Sequence, residues 1–165
     1  MNSAARGTGD TMHITVSTRV DAPRDVVWAR ATDFENCADF ITGLDKTEVL
    51  EKPDSGIVGL KWRETRTMMG KEATETMWVT AARAHEHYDV EAGSHGCRYY
   101  SRISLKEIGD ATELTMHFRA EPETFIAKLL GNTIGRLFLG TTRKMLQQDI
   151  DDIKLAAEHA AHAMA

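Results

Sequence analysis

The clearest pattern in this chain lies near its end, where apolar residues recur every three or four positions from about residue 123 to residue 162. This spacing places them along one side of an α-helix, as expected for a helix with one buried face. The apolar positions are Phe125, Ile126, Leu129, Leu130, Ile134, Leu137, Phe138, Met145, Leu146, Ile150 and Ile153. One long amphipathic helix is therefore predicted for this part of the chain.

Before this helix, apolar and polar residues alternate in short stretches, which is typical of half-buried β-strands. The alternation predicts seven strands, at residues 12–20, 46–51, 57–68, 72–82, 85–91, 98–108 and 112–120. Turn-forming residues separate the strands at intervals too short for parallel crossovers, so antiparallel pairing is expected. Residues 21–33 and 37–41 predict two short helical segments between the first two strands.

These elements predict an α+β fold. We expect a curved antiparallel seven-stranded sheet wrapped around a long C-terminal helix, with two short helices between strands 1 and 2. A chain of 165 residues suits one hydrophobic core. We therefore expect a flexible tail at residues 1–11 and a single domain at residues 12–162.

Composition and charge narrow the possible partners. Hydrophobic residues make up 42% of the chain and charged residues 27%, which is typical of a globular protein with a packed core. The formal net charge is -5, and lysine and arginine are scattered among acidic residues, so nucleic acid is not an expected partner. The chain lacks a GxSxG elbow, a phosphate-binding glycine loop, an HExxH motif and a CxxC pair. No cofactor is expected.

The chain also lacks the signals of export or membrane insertion. Residues 1–10 are small and polar, without the apolar run of a signal peptide or anchor. We expect a cytoplasmic protein with no stable membrane insertion. Cys37 and Cys97 lie far apart and have no metal-spaced neighbours, so both are expected to be reduced thiols.

One histidine pair has the spacing of a possible metal site. His85 and His87 stand two apart on the predicted fifth strand with Asp89, and a third ligand from elsewhere would complete a site. Tyr88 and Val90 fit the inward face of that strand better, which leaves the histidines facing solvent. We therefore expect no bound metal.

Short motifs near the start of the chain carry a family resemblance. Val20-Asp21-Ala22-Pro23 ends the first strand and is followed by Val26-Val27-Trp28, and Gly59-Leu60-Lys61-Trp62 follows the first predicted hairpin turn. With the order of elements, these motifs resemble the START-like helix-grip superfamily of polyketide cyclases, dehydrases and lipid carriers, over about residues 12–157. The resemblance implies a curved sheet that grips the helix around a deep apolar pocket. It implies no single activity, because the family contains carriers and enzymes.

Strand alternation predicts which side chains would line such a pocket. If the third and fourth strands pair around Met69 and Gly70, one face carries Leu60, Trp62, Glu64, Arg66, Ala73, Glu75, Met77 and Val79. A mostly apolar face with a few polar groups is the usual composition of a small-molecule site. With residues from strands six and seven and the long helix, the expected lining is Leu60, Trp62, Met77, Tyr99, Ser101, Met116, Phe118, Leu130, Ile134 and Phe138.

The polar members of this face are the candidates for catalysis: Glu64, Arg66, Glu75 and Tyr99. Two carboxylates across a hairpin could share a proton or pair with Arg66, which would raise one pKa toward values useful for enolisation or dehydration. In the alternative, Glu64, Arg66 and Glu75 lie solvated near the hairpin tip and pair there with little energetic effect. We expect the second arrangement, because charged side chains are rarely buried.

Three glycines interrupt the long helix: Gly131, Gly135 and Gly140. Each lowers helix stability by up to about 1 kcal/mol relative to alanine. One hypothesis is a lid in which residues 131–142 open to admit a ligand. The other is that small residues allow the helix to pack closely on the sheet.

Three functions are compatible with these predictions. The first is binding or transport of a hydrophobic or aromatic small molecule or lipid in an internal cavity. The second is a polyketide cyclase, aromatase or dehydratase that folds its substrate in the same cavity, with Arg66, Tyr99 or a carboxylate moving protons. The third is a protein-interaction module that uses an open groove. We expect a monomer or a homodimer.

Overall fold

Seven antiparallel strands form one sheet in the computed structural model, which describes residues 11–68, 70–94 and 96–164, without the side chains of residues 68 and 125–138. The sheet order is β1-β7-β6-β5-β4-β3-β2. The strands are β1 (Met12–Val20), β2 (Leu44–Glu51), β3 (Lys61–Met68), β4 (Lys71–Arg83), β5 (His87–Ser94), β6 (Cys97–Ile108) and β7 (Ala111–Pro122). The helices are α1 (Arg24–Ala31), a 3-10 helix (Cys37–Asp39) and α2 (Phe125–Met164). The predicted helix-grip fold is confirmed.

Helix α1 begins where the sequence supplies a suitable start. Pro23 occupies the N-cap position with φ -60°, and its carbonyl oxygen accepts a hydrogen bond from the Val27 backbone N–H at 3.1 Å. Asp25 lies in the first turn, where its negative charge complements the helix dipole. The helix buries Val27 and Ala31 against the rest of the core. The chain is thus folded back over the sheet soon after β1 ends.

Two strands begin later than the alternation predicts. Residues 57–60 form a turn in which the Leu60 N–H donates to the Ile57 carbonyl at 3.0 Å, so β3 begins at Lys61 rather than at residue 57. Residues 84–86 form a second turn, and His85 has a φ of +64°. Strand β5 therefore begins at His87 rather than at residue 85, and it continues to Ser94. Alternating polarity does not distinguish a strand end from a turn of similar composition.

The core lies between the inner face of the sheet and the C-terminal half of α2. That half of the helix contributes the buried residues Leu146, Ile150, Ile153 and Ala157. They belong to one cluster with buried inner-face side chains of the sheet, including Ile14, Val16, Val20, Trp62, Val79, Tyr88, Val90, Ile103, Leu105 and Leu114. Burial of one large apolar side chain stabilises a fold by about 1.5–3 kcal/mol. This contact therefore anchors the helix.

Side chains of α2 also cover the outer edge of β1, which is an edge strand of the sheet. Three backbone carbonyl oxygens of β1 accept hydrogen bonds there, from Arg143 to Thr15 at 2.9 Å, from Gln147 to Ser17 at 3.4 Å and from Lys154 to Arg19 at 2.7 Å. An uncovered edge would offer these groups to another strand. The helix therefore protects this edge of the sheet as well as its inner face.

Within the described ranges, no helix combines the length and the apolar character that crossing a bilayer demands.

Candidate functional site

The hairpin of β3 and β4 has the register that the alternation predicts. Trp62 lies opposite Met77, Glu64 opposite Glu75, and Arg66 opposite Ala73. Paired residues of an antiparallel ladder point to the same face of the sheet. Because Trp62 is buried in the core, Glu64, Arg66 and Glu75 share the face that looks toward α2.

Burial divides this inner face into two parts. Leu60, Trp62 and Met116 are buried, with exposed fractions of 6%, 3% and 9%. Another group of inner-face side chains on four neighbouring strands is only half-buried. We call this group the half-buried patch, and it consists of Glu75, Met77, Ser94, Cys97, Tyr99, Ser101 and Phe118. The inner face is thus buried at Leu60, Trp62 and Met116 and half-buried across the patch.

The start of α2 lies beside the patch. The backbone N–H groups of Glu123 and Thr124 donate to the carbonyl oxygen of Gly96, at 2.7 and 3.3 Å. Gly96 has a φ of +74°, and a Cβ there would lie 2.6 Å from the Thr124 hydroxyl oxygen, so a larger residue would strain this junction. The turn between β5 and β6 therefore holds the beginning of the helix next to Ser94 and Cys97.

The helical part of the predicted lining lies outside the described residues. This applies to the side chains of Leu130, Ile134 and Phe138, and the lid hypothesis for residues 131–142 depends on the same segment. Of the three glycines in this segment, the surroundings of Gly140 are described. A Cβ added at Gly140 would meet no atom within 4 Å, so close packing on the sheet is not the reason for glycine at that position.

Arg66 is the centre of a buried charge cluster that joins β3 to α2. Its guanidinium donates to both carboxylate oxygens of Asp149, each at 3.0 Å, and to Glu64 Oε2 at 3.3 Å. Glu64 Oε1 accepts a further hydrogen bond from the Trp62 indole at 2.9 Å. The three charged side chains are exposed by 16% (Arg66), 15% (Glu64) and 9% (Asp149). The expectation that Glu64 and Arg66 lie solvated at the hairpin tip was therefore wrong.

The pKa values of this cluster follow from its burial and its charges. Burial raises the pKa of Asp149 to about 6, although the adjacent Arg66 guanidinium acts in the opposite direction. Burial also disfavours the charged form of Arg66, but the carboxylates of Asp149 and Glu64 outweigh this and raise its pKa. Arg66 therefore stays protonated, and each of its three guanidinium nitrogens donates to a carboxylate. It is a poor candidate for proton transfer.

Asp149 is the member of this charge cluster that the sequence analysis missed. It lies three positions after Leu146 and four before Ile153, both of which are buried in the core. This spacing puts a carboxylate on the apolar side of α2. The sequence does contain a signal for this, because an aspartate lies among the buried apolar positions of the helix. Such a side chain needs a cationic partner from the element that faces it.

A second polar group lies within the half-buried patch. The Ser94 hydroxyl donates to Glu75 Oε1 at 2.9 Å, and Tyr99 lies on the same face of the sheet. Burial raises the pKa of Tyr99, so its phenol is neutral near pH 7. The Tyr99 ring stacks on Phe118 with ring centroids 5.9 Å apart. The patch thus combines an aromatic surface with a small set of hydrogen-bonding groups.

The remaining candidates lie elsewhere. His85 lies in the turn before β5 with its ring 5.7 Å from Trp28, so His85 and His87 do not share a strand face as assumed. In the part of the chain that the structure describes, no three histidine, cysteine or acidic side chains are grouped as metal ligands.

Cys37 is buried, and burial together with Glu64 raises its pKa to about 12, whereas Cys97 is half-buried. Cys37 is therefore expected to be unreactive.

Two surface depressions open away from the centre of the half-buried patch. One, of about 470 Å³, lies around Arg24 at the start of α1. The other, of about 440 Å³, is lined largely by polar residues of the outer sheet face. The second shares Ser101 and Phe118 with the patch, but neither depression is lined by Met77 or Tyr99. The half-buried side chains of the patch are thus largely separate from both depressions.

Comparison with protein families gives one match that covers most of the chain. The family model described as "Polyketide cyclase / dehydrase and lipid transport" matches residues 11–158. The match includes the whole sheet and most of α2. A search of curated proteins found no match.

Solved structures with the same fold cover nearly the whole chain. TTHA0849 from Thermus thermophilus superposes with a TM-score of 0.78 at 14% identity, covering 91% of this chain and 99% of that one. A START superfamily protein from Mycobacterium smegmatis gives 0.67 at 13% identity, covering 93% and 99%. The Zhui aromatase/cyclase from Streptomyces sp. R1128 gives 0.62 at 18% identity, covering 94% and 93%. At these identities the likeness extends to the fold.

Proposed function

This chain belongs to the polyketide cyclase / dehydrase and lipid transport family, and from this premise we propose that it binds a hydrophobic or aromatic small molecule or lipid. The ligand would lie between the half-buried patch and the first half of α2. This family contains both carriers and enzymes, so membership alone does not distinguish the two functions. Only the residues of the site can do so.

The half-buried patch is the observation that carries this proposal. Met77, Tyr99 and Phe118 present apolar and aromatic surface on the inner face, where all three side chains are half-buried. A site of this composition gains affinity by removing apolar ligand surface from water, at about 25 cal/mol per Å². Leu60, Trp62 and Met116 would form the packed wall behind the site rather than touch the ligand, because they are already buried.

Two neighbouring residues on opposite faces of β4 allow a matched test. Met77 points inward with Trp62, whereas Thr76 pairs with Arg63 on the outer face. Met77→Trp would fill the patch with a larger ring, and Thr76→Trp would add the same ring outside it. We expect Met77→Trp to weaken binding of a fluorescent apolar probe such as 1-anilinonaphthalene at least about tenfold, with little change for Thr76→Trp. Equal binding by both variants would contradict the proposal.

The natural ligand can be sought directly. Native mass spectrometry of protein purified gently from its own host, followed by denaturing extraction, would identify any small molecule that is retained. A retained lipid or aromatic compound in the wild type that is missing from Met77→Trp would support a carrier that uses the patch.

A second candidate function is a cyclase or dehydratase that uses the same site. The observation in its favour is that the half-buried patch contains the hydrogen-bonded pair Glu75 and Ser94 together with the Tyr99 phenol. The Zhui neighbour is described as an aromatase/cyclase, which makes this chemistry worth testing. Arg66 is not available for it, because two carboxylates occupy its N–H groups. Turnover of a polyketide-like substrate by the wild type, abolished in Tyr99→Phe and retained in Tyr100→Phe, would favour the enzyme over the carrier.

A further inference from the structure

The two inner-face glutamates of the β3–β4 hairpin have different surroundings. Glu64 and Glu75 lie directly opposite each other in the ladder, an arrangement that is unfavourable for like charges. Glu64 contacts the Arg66 guanidinium and the Trp62 indole. Glu75 accepts a hydrogen bond from Ser94, and among the described residues no cationic side chain forms an ion pair with it. Among the described residues, a buried cation therefore pairs with Glu64, whereas the partner of Glu75 is the neutral Ser94 hydroxyl.

A half-buried carboxylate next to apolar side chains needs hydrogen-bond donors to replace lost water. Ser94 occupies Oε1 of Glu75. A ligand that covers the patch would remove water from the second oxygen, Oε2. A ligand with a hydroxyl group could donate to Oε2, whereas a purely apolar ligand of the same size would leave it without a partner.

We propose that Glu75 determines the ligand specificity of the patch by accepting a hydrogen bond from a hydroxyl group of the ligand. The stacked rings of Tyr99 and Phe118 lie on the same face as this acceptor and favour a flat ligand. The ligand class is therefore a hydroxylated aromatic molecule, such as a phenol, in preference to an aliphatic chain without polar groups. This inference rests on the proposed function, since it concerns the same site.

A pair of matched probes tests the inference. 2-Naphthol and 2-methylnaphthalene have nearly the same size and shape, but only the first donates a hydrogen bond. We expect the wild type to bind 2-naphthol at least about tenfold more tightly, which is the range expected for a hydrogen bond to a carboxylate. Calorimetric or fluorescence titration measures both affinities.

Variants assign the preference to one side chain. Glu75→Leu removes the acceptor and should abolish the preference for 2-naphthol, while 2-methylnaphthalene should bind as well as before or better. Glu75→Gln removes the charge with little change of shape and should reduce the preference several-fold. Glu72→Gln is the control, because Glu72 is an exposed glutamate on the same strand, and it should keep the wild-type preference.

The outcomes separate this inference from the function on which it rests. If both probes bind the wild type equally, or if Glu75→Leu keeps the preference, the role of Glu75 is overturned and a hydrophobic site remains. If neither probe binds the wild type, the proposed function is overturned and the inference with it. A large loss of stability in ligand-free Glu75→Gln would also overturn the inference, because it would show that the protein itself already satisfies the charge.

Discussion

Arg66 on β3 and Asp149 on α2 are 83 positions apart in the sequence and form two parallel hydrogen bonds of 3.0 Å in the interior of the protein. The pair connects the helix to β3, near one edge of the sheet. At the opposite edge, Arg143, Gln147 and Lys154 connect the helix to β1. Two carboxylates, Glu64 and Asp149, share the single guanidinium. The cluster therefore has a net negative charge when both carboxylates are ionised. The stability of the protein should then depend on Arg66 and on pH.

Arg66→Met should destabilise the protein strongly at neutral pH. Removing the cation leaves two mostly buried carboxylates side by side, and breaking a buried pair in this way costs about 3–5 kcal/mol. Urea unfolding followed by circular dichroism would measure the loss. The loss should be smaller at pH 4.5 than at pH 7.5, because protonation relieves the repulsion between the carboxylates.

Arg63→Met provides the control for this prediction. Arg63 is the neighbouring arginine on the outer face, and it lies 3.7 Å from Glu48 with nearly half of each side chain exposed. Such a pair contributes up to about 1 kcal/mol. If both variants lost the same stability, the burial of the Arg66 cluster would not be the cause.

The stability of the wild type should depend on the ionisation of Asp149. Its pKa in the folded protein, about 6, lies above the value of 3.8 expected for an exposed aspartate. The group therefore favours folding most at low pH, and this contribution is lost as the pH rises through about 6. The asparagine side chain of Asp149→Asn does not titrate. The free energy of unfolding of this variant minus that of the wild type should therefore increase by on the order of 2 kcal/mol from pH 4.5 to pH 7.5.

Urea unfolding of both proteins at several pH values measures this difference. Asp151→Asn is a suitable comparison, because Asp151 lies two positions away on the same helix and bonds to Gln147 rather than to an arginine. Its curve should run parallel to that of the wild type. A pH-independent difference between Asp149→Asn and the wild type would exclude Asp149 as the titrating group.

Tyr88→Phe should cost about 1–2 kcal/mol of stability. The Tyr88 hydroxyl donates to the carbonyl oxygen of Ala31 at 2.6 Å within the core, so its loss leaves a buried acceptor without that donor. Tyr100→Phe is the matched control, since Tyr100 points to the outer face and its ring contacts Arg119, a contact that phenylalanine keeps. Thermal or urea unfolding would show a change for the first variant and little for the second.

The two cysteines should differ in reactivity. Cys37 is 7% exposed with a pKa of about 12, whereas Cys97 is half-buried at the patch. Ellman's reagent should therefore modify one thiol in the native protein and two in denaturant. Cys97→Ser should leave no rapidly reacting thiol, and bound 2-naphthol should slow the modification of Cys97 in the wild type. Fast modification of Cys37 in native protein would contradict its placement in the core.

The sequence predicted the fold well because the fold depends on short-range periodicity. Strand alternation correctly placed Glu64 and Arg66 on the inner face with Trp62. Alternation did not reveal whether the Arg66 side chain is buried or exposed to solvent. Its burial depends on Asp149, which is distant in the chain. The rotation of α2 that brings Asp149 to the sheet results from the packing of Leu146, Ile150 and Ile153. Charge pairs between distant elements become visible only when that packing is known.

Helix α2 also limits access to β1, one of the two edge strands of the sheet. When its C-terminal half is in place, Arg143, Gln147 and Lys154 occupy the outward carbonyl oxygens of β1. If that half detaches, the strand offers unpaired backbone groups to β1 of another molecule. Partial unfolding at the end of the chain would then open this edge to the addition of another strand. The same residues that complete the fold therefore also cover one of its two edge strands.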